Sequence, residues 1–160
     1  MKQDGNIWIF YGNGQGKSAA GLGAAVDAAA NGHDAVVIQF LKGQYSEEYM
    51  KRFEPELKIF RTARNEKRFT ELTDEEKRED ILNIRNGLSL ARKFLTTDAC
   101  ELLVLDEVIG LINEGIIVEE ELEDILLKKK EYQTIIMTGT ILPEKVAAMC
   151  HNIINVSREK

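Results

Sequence analysis

The segment from Tyr11 to Ala25 reads YGNGQGKSAAGLGAA, and its Gly-Lys-Ser has the residue types and order of a phosphate-binding loop. The usual pattern, G-x-x-x-x-G-K-[ST], places a glycine where Tyr11 stands, so the segment is either an accident of composition or a nucleotide site of an unusual kind. Gly12, Gly14 and Gly16 remove side chains where the backbone must curl and aim N–H groups inward, with Asn13 and Gln15 between them. Lys17 supplies a point charge for phosphate oxygens, and the Ser18 hydroxyl is placed to reach Mg²⁺. The loop follows the apolar run IWIFY and precedes an Ala-rich stretch, which is the strand-loop-helix setting such a site needs. A plain glycine-rich turn would leave the lysine, the hydroxyl and the helix start unexplained.

Three further segments carry polar groups at the ends of apolar runs. ELLVLDEV ends in Asp106-Glu107; an acidic pair after a strand is commonly just a polar turn, but beside a phosphate loop it reads as an Mg²⁺-binding or Mg²⁺-orienting pair acting with Ser18. QTIIMTGT runs into Thr138-Gly139-Thr140, either an ordinary turn before a helix begun near Pro143 or a phosphate-sensing edge. VVIQFLKG places Gln39 and Lys42 near the same edge, where Lys42 is either a ligand contact or a solvated turn residue.

These segments need a scaffold that brings strand ends together. Short apolar runs alternate with longer helical patterns, the rhythm of an α/β fold with a mostly parallel sheet between helical layers. Strands are expected at Asn6 to Tyr11, Ala35 to Phe40, weakly at Leu57 to Phe60, and at Leu102 to Asp106, Thr134 to Thr138 and Ile153 to Val156. Their lack of polar alternation suits strands covered on both faces. GKSAAGLGAAVDAAANG predicts a helix closed by Asn31-Gly32. TDEEK offers a capping box through Thr73 and Glu76, and Ile81, Ile84, Leu88, Ala91 and Leu95 then mark the core stripe of a helix about twenty residues long. RTARNEKRFTEL lacks such periodicity and predicts a surface loop, placed to close over a ligand.

At 160 residues, 44% hydrophobic and 30% charged, the chain fits one nucleotide-binding domain over residues 1–160. A formal charge of −6 gives no general attraction to nucleic acid or an anionic membrane, so a polyanionic ligand needs a local site. Cys100 and Cys150 lack a C-x-x-C partner and the first residues lack a signal-like apolar run, which together suggest a reduced, cytoplasmic protein. No segment approaches the ~20 apolar residues that span a bilayer.

Across nearly its whole length the chain resembles the P-loop corrinoid adenosyltransferases, on YGNGQGKSAAGLGAA, VVIQFLKG, LLVLDEV and QTIIMTG taken in order. In that family the loop typically reads T-G-N/D-G-K-G-K-T, so the missing first glycine is a family trait. The resemblance implies a RecA-like P-loop domain that transfers the adenosyl group of ATP, the co-substrate, to a Co(I) corrinoid and releases triphosphate. It implies Lys17 and Glu107 as catalytic groups, and Ser18, Asp106 and Glu107 as the Mg²⁺-associated groups. It also implies a homodimer, a hydrophobic shelf for the corrin and a flavoprotein or other reductant.

Departures from the family pattern are specific. Gln15 replaces a loop lysine, Asp27 stands where arginine is common, Thr140 replaces the arginine of T-G-R, and the sequence stops at NVSREK without an R-x-V-K-H-P-F-like tail. Two alternatives therefore stay open at this point: a P-loop ATPase or kinase with Glu107 orienting water or an acceptor hydroxyl, and a non-catalytic nucleotide- or corrinoid-binding paralogue.

Overall fold

The computed structural model describes residues 4–41 and 48–160. Six strands, β1 (Ile7–Tyr11), β2 (Ala35–Gln39), β3 (Leu57–Arg61), β4 (Leu102–Asp106), β5 (Thr134–Gly139) and β6 (Asn152–Asn155), form one sheet in the order β3-β2-β4-β5-β1-β6. Every pairing is parallel. The strands fall where the apolar runs predict them, within a residue or two at each end, and the weak third run extends to Arg61.

Parallel pairing forces each connection back across a face of the sheet, and these crossovers build three layers. Helix α1 (Lys17–Ala30) covers one face, where Ala25 and Ala29 pack with Val37, Leu57, Val104 and Ile136. On the other face lie α2 (Asp74–Thr96), α3 (Val108–Asn113), α4 (Glu119–Leu126) and α5 (Glu144–Ala148), around Ile9, Ile38, Leu103, Leu105 and Met137. Neighbouring residues of one strand thus enter opposite layers, as Val104 and Leu105 do. Burial on both sides explains why the strands show no polar alternation.

Small residues set how close α1 can come. A Cβ at Gly21 would lie 2.9 Å from Val104 Cγ1, so this helix rests almost directly on β4. Past Ala30 the chain turns through Gly32 at φ 80°, with its N–H donating to the Ala29 carbonyl at 3.0 Å. That is the helix stop expected from Asn31-Gly32.

Helix α2 starts with the expected capping box: Glu76 N donates to Thr73 Oγ1 at 3.2 Å, and Thr73 N to Glu76 Oε2 at 2.8 Å. Ile84, Leu88, Ala91 and Leu95 form its buried stripe, whereas Ile81 is only half-buried at its flank. Between β3 and α2 the predicted loop contains a short 3-10 turn at Phe69–Glu71. Two further helices, α3 and α4, lie between Glu107 and Gln133, where no helix is expected from the sequence. Four of the six residues of α3 are buried, so it presents no polar face to reveal a helical period.

Replacing Thr73 with alanine removes the hydroxyl cap of α2 and is expected to lower unfolding stability by about 1 kcal/mol. Chemical denaturation of the unliganded protein checks this, and nucleotide binding is expected to stay unchanged because Thr73 lies outside the loop.

Candidate nucleotide site at the C-terminal edge of the sheet

Tyr11 is a strand residue, which accounts for its place in the loop. It pairs with Gly139 on one side and Asn155 on the other, and its carbonyl accepts from Val156 N at 2.7 Å. The turn begins one residue later, at Gly12, whose φ of 123° belongs to glycine. Gly12 N lies 3.2 Å from the Gly139 carbonyl and 3.0 Å from that of Thr140, and Gly14 N donates to the Val156 carbonyl at 2.8 Å. Side chains at these two positions would collide with Val156: an added Cβ would sit 2.3 Å from its carbonyl oxygen at Gly12 and 2.8 Å at Gly14.

The loop glycines therefore divide their work, which corrects the expectation that all three aim N–H groups inward. Gly12 and Gly14 spend theirs on the ends of β5 and β6, as a loop wedged between two strand ends requires. A Cβ at Gly16 would meet no neighbour, but its φ of 102° favours glycine, and this residue caps α1. An anion at this edge would meet the N–H groups entering the first turn of α1, which lack an intrahelical acceptor and carry the positive end of the helix dipole. Lys17 Nζ folds back onto the Gly14 carbonyl at 2.7 Å, and Asn13 Oδ1 accepts weakly from Arg158 N at 3.4 Å. Gln15 is exposed.

Strand order brings the acidic pair to this loop. Ser18 Oγ donates to Asp106 Oδ1 at 2.9 Å, joining the first turn of α1 to the end of β4. Thr138, fully buried at the end of β5, donates to the same Oδ1 at 2.7 Å. Its oxygen also accepts from Glu107 N at 2.7 Å. Glu107 opens α3 with φ 60° and ψ 20°, a left-handed conformation that is uncommon for a residue with a side chain. Ser18, Asp106, Thr138 and Glu107 thus form one connected group under the loop.

The donors fit Mg²⁺. Among the described residues no group of three or more His, Cys, Asp or Glu is arranged to hold a metal ion. Mg²⁺ instead suits one or two protein oxygens completed by phosphate and water, and the Ser18 hydroxyl beside Asp106 offers that kind of set. Asp106 is 2% exposed and its Oδ1 already accepts from Ser18 and Thr138, so toward a bound Mg²⁺ it would orient Ser18 and metal-bound water.

Other predicted residues fall elsewhere. Gln39 is buried at the end of β2, where its Oε1 accepts from Arg61 Nε at 2.8 Å, a pairing the sequence did not suggest. Lys42 lies outside the described residues. Asp27 is ten positions beyond Lys17, or roughly 15 Å up the helix at 1.5 Å per residue, so arginine's absence there removes no charge from the loop. Asp27 lines a cavity of about 790 Å³ on the α1 face with Trp8, Phe10, Ala24 and Ile136, running away from the phosphate end. Thr140, by contrast, is exposed at the loop itself. The sequence also missed Val156, because its contribution is made by backbone atoms that no side-chain pattern reveals. Burial pushes the Cys100 thiol up to about 12 and that of Cys150 to about 11, so neither supplies a thiolate nucleophile near neutral pH.

A parallel sheet with a glycine-rich loop after β1, a lysine and hydroxyl opening α1 and a carboxylate at the end of β4 defines a P-loop nucleotide-binding protein. The chain belongs to the ATP:corrinoid adenosyltransferase BtuR/CobO/CobP family, whose model matches residues 3–160. A corrinoid adenosyltransferase of Escherichia coli is 30% identical over 139 residues, covering 84% of this chain and 67% of that protein. The corrinoid adenosyltransferase CobA of Salmonella typhimurium is 28% identical over 142 residues, covering 87% of this chain and 69% of the relative. The flagellar accessory protein FlaH from Methanocaldococcus jannaschii has the same fold, with a TM-score of 0.60 over 96% of this chain and 72% of its own, at 15% identity. Family membership makes the activity ATP-dependent adenosyl transfer to a corrinoid.

Lys17→Ala is expected to leave the melting temperature of the unliganded protein nearly unchanged, since the Lys17 ammonium donates to a carbonyl of its own loop and not to the core. ATP binding, read by calorimetry, is expected to weaken by roughly 1.5–3 kcal/mol, the size of a charge-assisted contact.

Proposed function

We propose that the loop, Ser18 and the acidic pair bind ATP with Mg²⁺ so that a Co(I) corrinoid attacks the 5′ carbon of the nucleoside and triphosphate leaves. The observation that carries this reading is the Ser18–Asp106 contact at 2.9 Å beneath the phosphate loop of a chain in this family. A Co(I) nucleophile carries its own electron pair, so the site needs no base to activate water. Its task is to favour the charge gathering on the leaving group.

Lys17 is the movable cation. To meet a phosphate it exchanges the Gly14 carbonyl for an anionic oxygen, a stronger acceptor. The free N–H groups at the start of α1 add fixed dipoles with no reorganisation at the moment of reaction. Asp106 holds Ser18 in place, and Glu107, the next residue along the same strand end, would serve as a second metal-associated carboxylate. When bound, Mg²⁺ supplies further neutralisation of the triphosphate. The same arrangement suits a P-loop ATPase, and family membership favours transfer over hydrolysis or binding alone.

The wider setting follows from the resemblance: one nucleotide-binding domain working as a homodimer, with a flavoprotein or other reductant delivering Co(I), in the cytoplasm. Two free cysteines, Cys100 and Cys150, are compatible with a reducing compartment. Among the described residues no helix is long and apolar enough to cross a membrane.

Anaerobic incubation with ATP, Mg²⁺ and chemically reduced cobalamin tests the reading. Loss of the Co(I) absorption band is expected in step with triphosphate release, with little ATP consumed in the absence of corrinoid. Rapid corrinoid-independent formation of ADP would overturn it. Glu107→Gln is expected to slow adenosylation without unfolding the protein. Thr140→Arg places a cation beside the loop and is expected to leave ATP affinity unchanged or raise it, whereas Asp27→Arg, far up the helix, is expected to leave it unchanged.

A further inference from the structure

We infer that Thr138 is the positioning residue of this site: its single hydroxyl fixes Asp106 and Glu107 together and so sets the oxygen geometry offered to metal-bound ATP. This deepens the proposed function and rests on it for the reaction, though not for the binding of nucleotide.

The hydroxyl is used in both senses. Its proton goes to Asp106 Oδ1 at 2.7 Å, and its oxygen receives the Glu107 N–H at 2.7 Å. Consecutive residues are thereby tied to one atom, one through the side chain and the other through the backbone. Thr138 has no exposure, so water cannot replace it without rearrangement. Glu107 needs such a tie, because its left-handed backbone is costly and α3 begins on it without a side-chain cap.

Strand order gives Thr138 this reach. β5 lies between β1, which delivers the loop, and β4, which delivers the acidic pair. The following residue is constrained as well: a Cβ at Gly139 would lie 2.2 Å from Ile109 Cβ in α3, and Gly139 O faces Gly12 N in the loop. Ser18 and Thr138 converge on one oxygen of Asp106, so moving the threonine hydroxyl would redirect the carboxylate that holds the serine. A serine at position 138 keeps both bonds, whereas valine keeps the shape and loses both.

Mn²⁺, which is paramagnetic and replaces Mg²⁺ at oxygen sites, is the probe. Its binding in the presence of ATP is read by electron paramagnetic resonance for the wild type, Thr138→Val and Thr138→Ser, alongside melting temperature and adenosylation rate. Thr138→Val is expected to weaken Mn²⁺–ATP binding roughly fivefold to tenfold, near the size of one or two lost hydrogen bonds, and to lower kcat at saturating ATP. Thr138→Ser is expected to restore both. If the valine variant does not fold, Thr138→Ala carries the same expectation. Wild-type Mn²⁺–ATP affinity in a folded valine or alanine variant would overturn the inference, as would an equal loss in folded Thr138→Ser. A wild-type protein that binds Mn²⁺–ATP in this pattern without adenosylating cobalamin would remove the transferase reading and leave Thr138's role supported.

Discussion

A carboxylate that is 2% exposed is costly to keep charged unless donors surround it, and Asp106 is such a group. Donors to its Oδ1 come from two different places in the chain: Ser18 at the start of α1 and Thr138 at the end of β5. Satisfying one buried charge therefore fixes how β1, β5 and β4 must end relative to one another. The order β4-β5-β1 is what allows it, since β5 stands between the strand that carries the loop and the strand that carries the acid. The same contacts that stabilise the fold at this edge also build the site.

Much of this was legible in the sequence for a physical reason. Apolar runs without alternation signal strands buried on two faces, and polar groups at their C-terminal ends are left at a single edge once all strands run parallel. Lys17, Ser18, Asp106 and Glu107 could thus be placed together from Gly-Lys-Ser and VLDE alone. The capping box at Thr73 was equally local and is present. What stayed hidden depends on neighbours distant in sequence. Nothing in GNG shows that Gly12 and Gly14 must clear the Val156 carbonyl, because that contact spans nearly the whole chain. The pairing of Gln39 with Arg61 needs the β2–β3 register, and α3 is hidden because it is buried on most sides.

Two departures from the family pattern look alike in the sequence and differ in space. Thr140 is beside the loop, where its carbonyl accepts from Gly12 N, so an arginine at this position would stand next to the proposed phosphate site. Asp27 faces the cavity along α1, well away from it. Tyr11 is no defect of the loop at all. It is the last residue of β1 and continues the pairing with β6, leaving Gly12 to make the first turn. A loop held by strands on both sides in this way is a rigid frame, and Lys17, resting on Gly14, is the part of it free to exchange partners.

If this edge directs attack to the 5′ carbon of ATP and not to a phosphorus, the oxygen that bridges them records it. ATP carrying ¹⁸O in the oxygen that bridges the 5′ carbon and the α-phosphorus reads this directly, in an anaerobic reaction with chemically reduced cobalamin. Attack at carbon breaks the carbon–oxygen bond, so mass spectrometry is predicted to find the label in free triphosphate and none on the adenosylated corrinoid. Label retained in ADP, with no triphosphate formed, would show cleavage between the β- and γ-phosphates and contradict attack at the 5′ carbon.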